Sequence, residues 1–360
     1  MARKVLLVAL NGVTGRMGYR QHLVRSLLAI REQGGVPLAG GGTVYPEPVL
    51  VGRSEARLRE IAERHGLPRW STSLDEVLSD PAVEVYFDTL VTSARVASLG
   101  KAIAAGKHVY TEKPVADSLD GATALARAAR EAGVINGVVQ DKLFLPGMIK
   151  LRRLVRDGFF GRVLSVRLEF GYWVFEGDQI PAQRPSWNYR SADGGGIVLD
   201  MFPHWHYLLK DLFGPVTAVY ARQATHLPRR WDEAGAPYDV TAGDAAYAVL
   251  ELQVDGTHGS AVAGLRHCAV QHRAAAPRAV WNPDLPDPVD YPAHWADVPD
   301  NAEFDNGFKV QWEQFLRAVA EGKPPPWDLA EGARGVQLAE LALRSSAEGR
   351  RVDVPPLTAT

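Results

Sequence analysis

Over the first 140 residues, short apolar runs alternate with helix-length amphipathic stretches, the pattern of βαβ units on a parallel sheet. Residues 5–10 form an unbroken apolar run, as expected of a strand buried on both faces. Residues 15–33 carry helical spacing. Residues 48–52 read as a second strand, and Glu55–His65 as a charged helix with Glu/Arg pairs on neighbouring turns. Segments 83–90, 94–105, 108–111, 119–132 and 134–140 continue the alternation. Residues 34–47 are glycine-rich and longer than an ordinary connection, so they read as a surface loop or a dimer contact.

After about residue 145 the texture changes. Residues 162–172 alternate polar and apolar positions and predict a half-buried strand. Strands are also expected at 216–222, 245–252 and 259–265, a proline-rich extended connection at 277–299, and closing helices at 306–321 and 330–346. A chain of 360 residues is long for one core. The expected fold is α/β: a parallel doubly wound domain over 1–142, then an α+β domain over 143–360. The second domain is expected to be built on a mostly antiparallel sheet with one open face, its closing helices packing back toward the first.

Composition narrows the partners. The 40 Lys plus Arg against 42 Asp plus Glu give a formal net charge of −2, which offers no field for nucleic acid or an anionic membrane. Basic pairs such as Arg152-Arg153 and Arg229-Arg230 read as solvated faces. The single cysteine, Cys268, excludes an internal disulfide and any multi-thiolate metal site, and reads as a small buried hydrophobe. The start mimics a signal peptide, but its apolar run ends at Asn11-Gly12 without a small-residue cleavage site. No stretch reaches the roughly 20 apolar residues of a membrane span. A cytoplasmic protein acting on a small molecule is expected.

Chemistry enters at the end of the first strand. In Asn11-Gly12-Val13-Thr14-Gly15-Arg16-Met17-Gly18, glycines recur every third residue between a strand and a helix. Gly12 permits a tight turn, Gly15 lets backbone approach a pyrophosphate, and Gly18 allows close helix–strand packing. The pyrophosphate then sits on the helix N-terminus, where unpaired amides favour an anion. The alternative is a merely structural glycine turn. NAD binders place an acidic side chain after the second strand, whereas this chain has Val51-Gly52-Arg53-Ser54. Arg53 with Ser54 suits a 2′-phosphate, so NADP is favoured over NAD, the alternative being Arg53 stacked on the adenine of NAD.

Two further motifs are more specific. One runs Ala105-Gly106-Lys107-His108-Val109-Tyr110-Thr111-Glu112-Lys113-Pro114, the other Gly194-Gly195-Gly196-Ile197-Val198-Leu199-Asp200-Met201-Phe202-Pro203-His204. With the glycine cradle, their order and separation closely resemble the glucose–fructose oxidoreductase / inositol dehydrogenase / rhizopine catabolism (Gfo/Idh/MocA) family. The resemblance spans nearly the whole chain, and it implies a Rossmann domain, NAD(P) and catalytic roles for Lys113, Asp200 and His204. It also implies that Pro114 follows a cis peptide that aims the lysine.

The residues support those roles on their own terms. Oxidising a carbinol needs a base for the hydroxyl proton, and histidine titrates near neutrality. Asp200 precedes His204 by four residues, so on a helix it is expected to orient the imidazole and favour its protonated form. Lys113, at the carboxyl end of a parallel strand, can bond the reacting oxygen. His206 points elsewhere on such a helix, and no ligand set with metal spacing accompanies these residues, so no metal is expected. The cofactor set is Asn11, Gly12, Thr14, Gly15, Arg16, Met17, Arg53, Ser54, Thr92, Glu112, Lys113 and Gln140. Trp187, Asn188, Tyr189 and Arg190 mix aromatic faces with hydrogen-bond donors suited to a polyol. With Lys113, Lys142, Asp200 and His204 they form the substrate set, and Trp173, Glu176, Gln183, Arg184 and Trp205 are weaker candidates.

Three departures from the family pattern stand out. The cradle reads G-x-x-G-R-M-G, a form shared with dihydrodipicolinate reductases. Residues 34–47 are an insertion. Segments 245–252 and 254–260 abut where the family carries a further strand pair. In this family the open sheet face commonly forms the subunit interface, so a homo-oligomer (dimer or tetramer) is expected. The expected activity is reversible hydride transfer between NAD(P) and a secondary alcohol of a sugar, cyclitol or glycoside. Its rivals are an NAD-dependent glycosidase and a dinucleotide-binding sensor.

Overall fold

The computed structural model describes residues 3–168, 170, 175–182, 184–252, 257–278, 280, 284–286 and 288–357. The first half runs β1 (Arg3–Asn11), α1 (i→i+5 bonded over Met17–Leu28, closing as an α-helix over Ala29–Glu32), β2 (Val36–Pro37), β3 (Thr43–Val51) and α2 (Glu55–His65). It continues through β4 (Trp70–Ser71), α3 (Leu74–Ser79), β5 (Val83–Asp88), α4 (Thr92–Ala104), β6 (His108–Thr111), α5 (Leu119–Glu131) and β7 (Asn136–Val138). Parallel pairing gives the order β4–β3–β1–β5–β6–β7, with β2 antiparallel on the other end of β3. Leu6, Val8, Ala9 and Leu10 of β1 are fully buried, which is why that run lacks polar alternation. The chain reverses direction across the sheet at β1. There Gly12 N–H bonds Val51 O at 3.1 Å while Thr89 N–H bonds Asn11 O at 3.0 Å. Such a switch point is where open α/β sheets hold ligands.

Segment 34–47, expected as a loop, instead forms a hairpin whose second arm lengthens β3 back to Thr43. Its glycines and length disguised it. Pro46 and Pro48 lie where the outer edge of β3 carries neither β2 nor β4, so their missing N–H groups cost no ladder bond.

The second half begins with α6 (Pro146–Arg156) and α7 (Ile197–Phe213), followed by β8 (Val216–Ala224), β9 (Arg229–Trp231), β10 (Pro237–Asp239), β11 (Ala245–Leu252), β12 (Gly259–Ala263) and β13 (Cys268–His272). It closes with β14 (Ala296–Asp297), α8 (Gly307–Glu321), α9 (Leu329–Glu348) and β15 (Val352–Asp353). Its sheets are antiparallel, as expected, and among the described residues they are β11–β8–β15, β12–β13–β14 and the ribbon β9–β10. The strands expected at 245–252 and 259–265 belong to different sheets; of the abutting segment 254–260, residues 254–256 lie outside the described residues. Residues 162–168 and 170, expected in a strand, join none; the rest of 162–172 lies outside the described residues. Residues 163–168 and 170 instead line a cavity with Ala246–Leu250 of β11, whose outer edge carries no strand among the described residues.

The closing helices return to the first sheet. Trp312, Phe315 and Leu316 of α8 share a buried cluster with Leu10, Phe87 and Tyr110. On α9, Leu329, Ala333 and Val336 pack with Val109 and Val138, while Leu338, Ala339 and Ala342 pack with Phe202 of α7 and Val219 of β8. One helix thus spans both cores. Among the described residues, no helix is long and apolar enough to cross a membrane.

Candidate active site

The glycine cradle has the shape the sequence requires. Gly12 has φ +80°, and a Cβ there would stand 2.7 Å from Thr89 Oγ1. A Cβ on Gly18 would stand 2.6 Å from Gly12 O, so α1 can approach the turn only at a glycine. Gly15 and Arg16 are exposed, and the amides of Thr14 and Arg16 find no acceptor among the described residues. A dinucleotide pyrophosphate fits this cradle. Met17 opens the helix. Asn11 donates to Tyr86 Oη at 3.0 Å, and Thr92, also buried, begins α4.

At the end of β3, Glu55 turns to Arg59 at 2.6 Å. Ser54 Oγ caps α2 by accepting Arg57 N–H at 3.5 Å, which leaves the hydroxyl proton unspent. Arg53 is exposed and carries no ion pair among the described residues.

Lys113 follows β6, and its peptide bond to Pro114 is cis, as the resemblance implies. Three buried groups hold this turn. Glu112 Oε2 accepts the Lys113 N–H at 3.1 Å, Glu112 Oε1 meets His22 Nε2 at 2.9 Å, and Arg95 donates to Pro114 O. Trp312 Nε1–H donates to His22 Nδ1 at 3.0 Å. An indole only donates, so His22 carries its proton on Nε2 and donates it to Glu112. Burial opposes the charge on Glu112, but the bond from His22 and the nearby Lys113 and Arg95 hold the carboxyl below its ordinary range. Glu112, expected at the cofactor, thus supports the Lys113 turn through both carboxylate oxygens.

The Lys113 ammonium reaches α7, donating to Asp200 Oδ1 at 2.6 Å and to Asp200 O at 3.0 Å. Arg184 donates to Asp200 Oδ2 at 2.7 Å and to Asn188 Oδ1 at 2.8 Å. Burial opposes ionisation of Asp200, yet Lys113 and Arg184 keep its pKa below the usual value. Asp200 therefore pairs with these two cations, and no bond to His204 is present, contrary to the expectation from spacing alone. His204, 4% exposed, meets Tyr207 Oη through Nδ1 at 2.6 Å. Burial first, then Lys113, Lys142 and Arg184, push its pKa well below the ordinary histidine value. The imidazole is therefore uncharged at neutral pH, and Asp200, expected to favour its protonated form, is not among the groups acting on it.

His206 bonds Glu331 of α9 at 3.0 Å and so faces away from His204. Lys142 Nζ meets Asp141 at 3.2 Å, and buried Gln140 donates its N–H to Gln311. In the 186–190 turn, Asn188 and Tyr189 line a small cavity with Asp200. Tyr189 also lies under Arg230 at 4.0 Å, and Arg190 sits over Tyr238 at 4.5 Å. Trp187 is half-buried beside Asn188. Trp205 packs on Phe202, and Glu176 engages Trp231 through its main chain. Trp173 and Gln183 lie outside the described residues. Sequence reasoning missed His22, Trp312, Tyr207 and Asp141. Only Tyr207 left a signal, three residues after His204 on the same helical face.

Two family models match the chain. The oxidoreductase family with an NAD-binding Rossmann fold covers residues 12–140, and the GFO/IDH/MocA C-terminal domain covers residues 148–274. The chain belongs to the Gfo/Idh/MocA family and is an NAD(P)-dependent oxidoreductase acting on a CH–OH group. A D-xylose dehydrogenase of Paenarthrobacter nicotinovorans is 54% identical over 382 residues, 98% of each chain. A 1,5-anhydro-D-fructose reductase of Ensifer adhaerens is 30% identical over 241 residues, 62% of this chain and 69% of its own. Among solved structures, a levoglucosan dehydrogenase in complex with NADH and L-sorbose shares the fold, with TM-score 0.79 at 20% identity, covering 98% of this chain and 100% of its own.

Proposed function

We propose that this protein oxidises a secondary alcohol of an aldose of the D-xylose class, with NADP favoured over NAD. The observation that carries the reading is the convergence of Lys113 with Asp200 at 2.6 Å beside an uncharged, buried His204 on the same helix. The 54% identity to a D-xylose dehydrogenase across 98% of both chains supports the substrate class.

Bound at the cradle of Gly12, Thr14, Gly15 and Arg16, the nicotinamide dinucleotide supplies the two-electron redox chemistry. His204, with Nδ1 engaged by Tyr207, offers Nε2 to the substrate hydroxyl and takes its proton. The Lys113 ammonium donates to the reacting oxygen and stabilises the charge that grows there. Asp200 keeps that ammonium aimed, while Arg184 and Asn188 present donors to the remaining hydroxyls. The protein acts in the cytoplasm as a homo-oligomer, on this reading. Tyr220, Tyr247 and Val249 on β8 and β11 leave an exposed apolar face suited to a partner subunit.

The test is a panel of aldoses and inositols with each cofactor, read at the reduced-nicotinamide absorbance. D-xylose is expected to give the highest kcat/KM. Aglycone release from a glycoside without net cofactor turnover would replace this reading with the glycosidase one. For the cofactor, Arg53→Ala is expected to raise the KM for NADP about tenfold and leave that for NAD within about twofold, the loss of one charge-assisted contact. Equal effects on the two cofactors would reject a 2′-phosphate at Arg53.

A further inference from the structure

We propose that Tyr207 is the positioning residue of His204, its hydroxyl holding the imidazole with the proton on Nδ1 and the lone pair on Nε2. This rests on the reading of His204 as the base. In that role a histidine needs a fixed tautomer, and something must bond the nitrogen that does not react. Asp200 is unavailable, since both its carboxylate oxygens are taken, one by Lys113 at 2.6 Å and one by Arg184 at 2.7 Å. Tyr207 Oη stands 2.6 Å from His204 Nδ1, and both side chains are buried.

The direction of that bond follows from the base role. An uncharged imidazole carries one proton, so a ring that accepts through Nε2 holds it on Nδ1. A phenol has two lone pairs to receive. The backbone N–H of Lys142 donates into Tyr207 Oη at 3.4 Å, filling one lone pair, and the other receives Nδ1–H of His204. Burial, with Asp141 adding to it, raises the phenol well above its ordinary value, so Tyr207 stays a phenol. The other charged groups acting on His204 are the cations Lys113, Lys142 and Arg184. All three oppose a protonated ring, which leaves Tyr207 as the contact that supports it once it has taken a proton.

The experiment has two parts. In wild-type protein with 15N-labelled histidine, the His204 resonances are identified by their loss in His204→Ala. At neutral pH they are expected to show the proton on Nδ1, and a proton on Nε2 would overturn the proposal. In Tyr207→Phe, which keeps the ring and removes the hydroxyl, kcat is expected to fall about 10–100-fold, the range for losing a histidine's outer partner. KM and dinucleotide affinity should be little changed. The acid limb of kcat/KM is expected to move to lower pH, because the imidazolium loses its acceptor. An unchanged kcat and acid limb would overturn the proposal. Should the variant not fold, the wild-type tautomer decides. A silent Tyr207→Phe beside an inactive His204→Ala removes this inference alone, whereas an active His204→Ala removes the base itself.

Discussion

His204→Ala is expected to lower turnover of the sugar substrate by about 100-fold or more at neutral pH, the usual worth of a positioned general base, the role proposed for it. Dinucleotide affinity should stay within about twofold, a split that marks an interaction made during reaction rather than in binding. The reason is geometric. The amides proposed to cradle the dinucleotide lie between β1 and α1, whereas His204 lies on α7 and meets Tyr207. The ring is uncharged at neutral pH because burial and three cations disfavour its protonated form, so it is ready to accept a proton. Steady-state kinetics and a fluorescence titration of the dinucleotide measure both quantities. Turnover that survives would remove histidine from the mechanism.

Trp312→Ala is expected to cost about 3–5 kcal/mol of stability, the range for a large aromatic deleted from a core. Trp312 is fully buried, with ring centroids 4.9 Å from Phe87 and 4.8 Å from Tyr110. Its removal also orphans His22 Nδ1 and slackens the chain through Glu112 to the Lys113 amide. Trp312→Phe separates the two effects. Most packing survives, while the buried ring nitrogen loses its donor at about 1–3 kcal/mol. Urea unfolding of both variants is the measurement. A loss below about 1 kcal/mol for the alanine variant would contradict this account of the core, since such deletions cost several times more.

Much of the scaffold was legible because it rests on local rules. The buried run of β1, the periodicity of α8 and α9, and the glycine spacing after β1 each encode geometry within a few residues. The hairpin over 34–47 was hidden because its glycines and length read as loop, and Pro46 within β3 is harmless only because that edge has no partner there. Of the strand expected over 162–172, residues 162–168 and 170 pair with none: their alternation is local, whereas a ladder needs backbone brought within bonding distance, and here residues 163–168 and 170 line a cavity with β11.

The sequence by itself determined the cradle, the lysine before a proline, and an aspartate and a histidine one turn apart on a helix. Those are matters of spacing, fixed by the periods of strands and helices. Only the tertiary structure decided what each group does. It paired Asp200 with Lys113, 87 residues away, and with Arg184, instead of with the imidazole. It also set Trp312 against His22 across 290 residues to brace the turn that carries the lysine. Electrostatic partners and burial depend on distance in space, and no spacing along the chain records that.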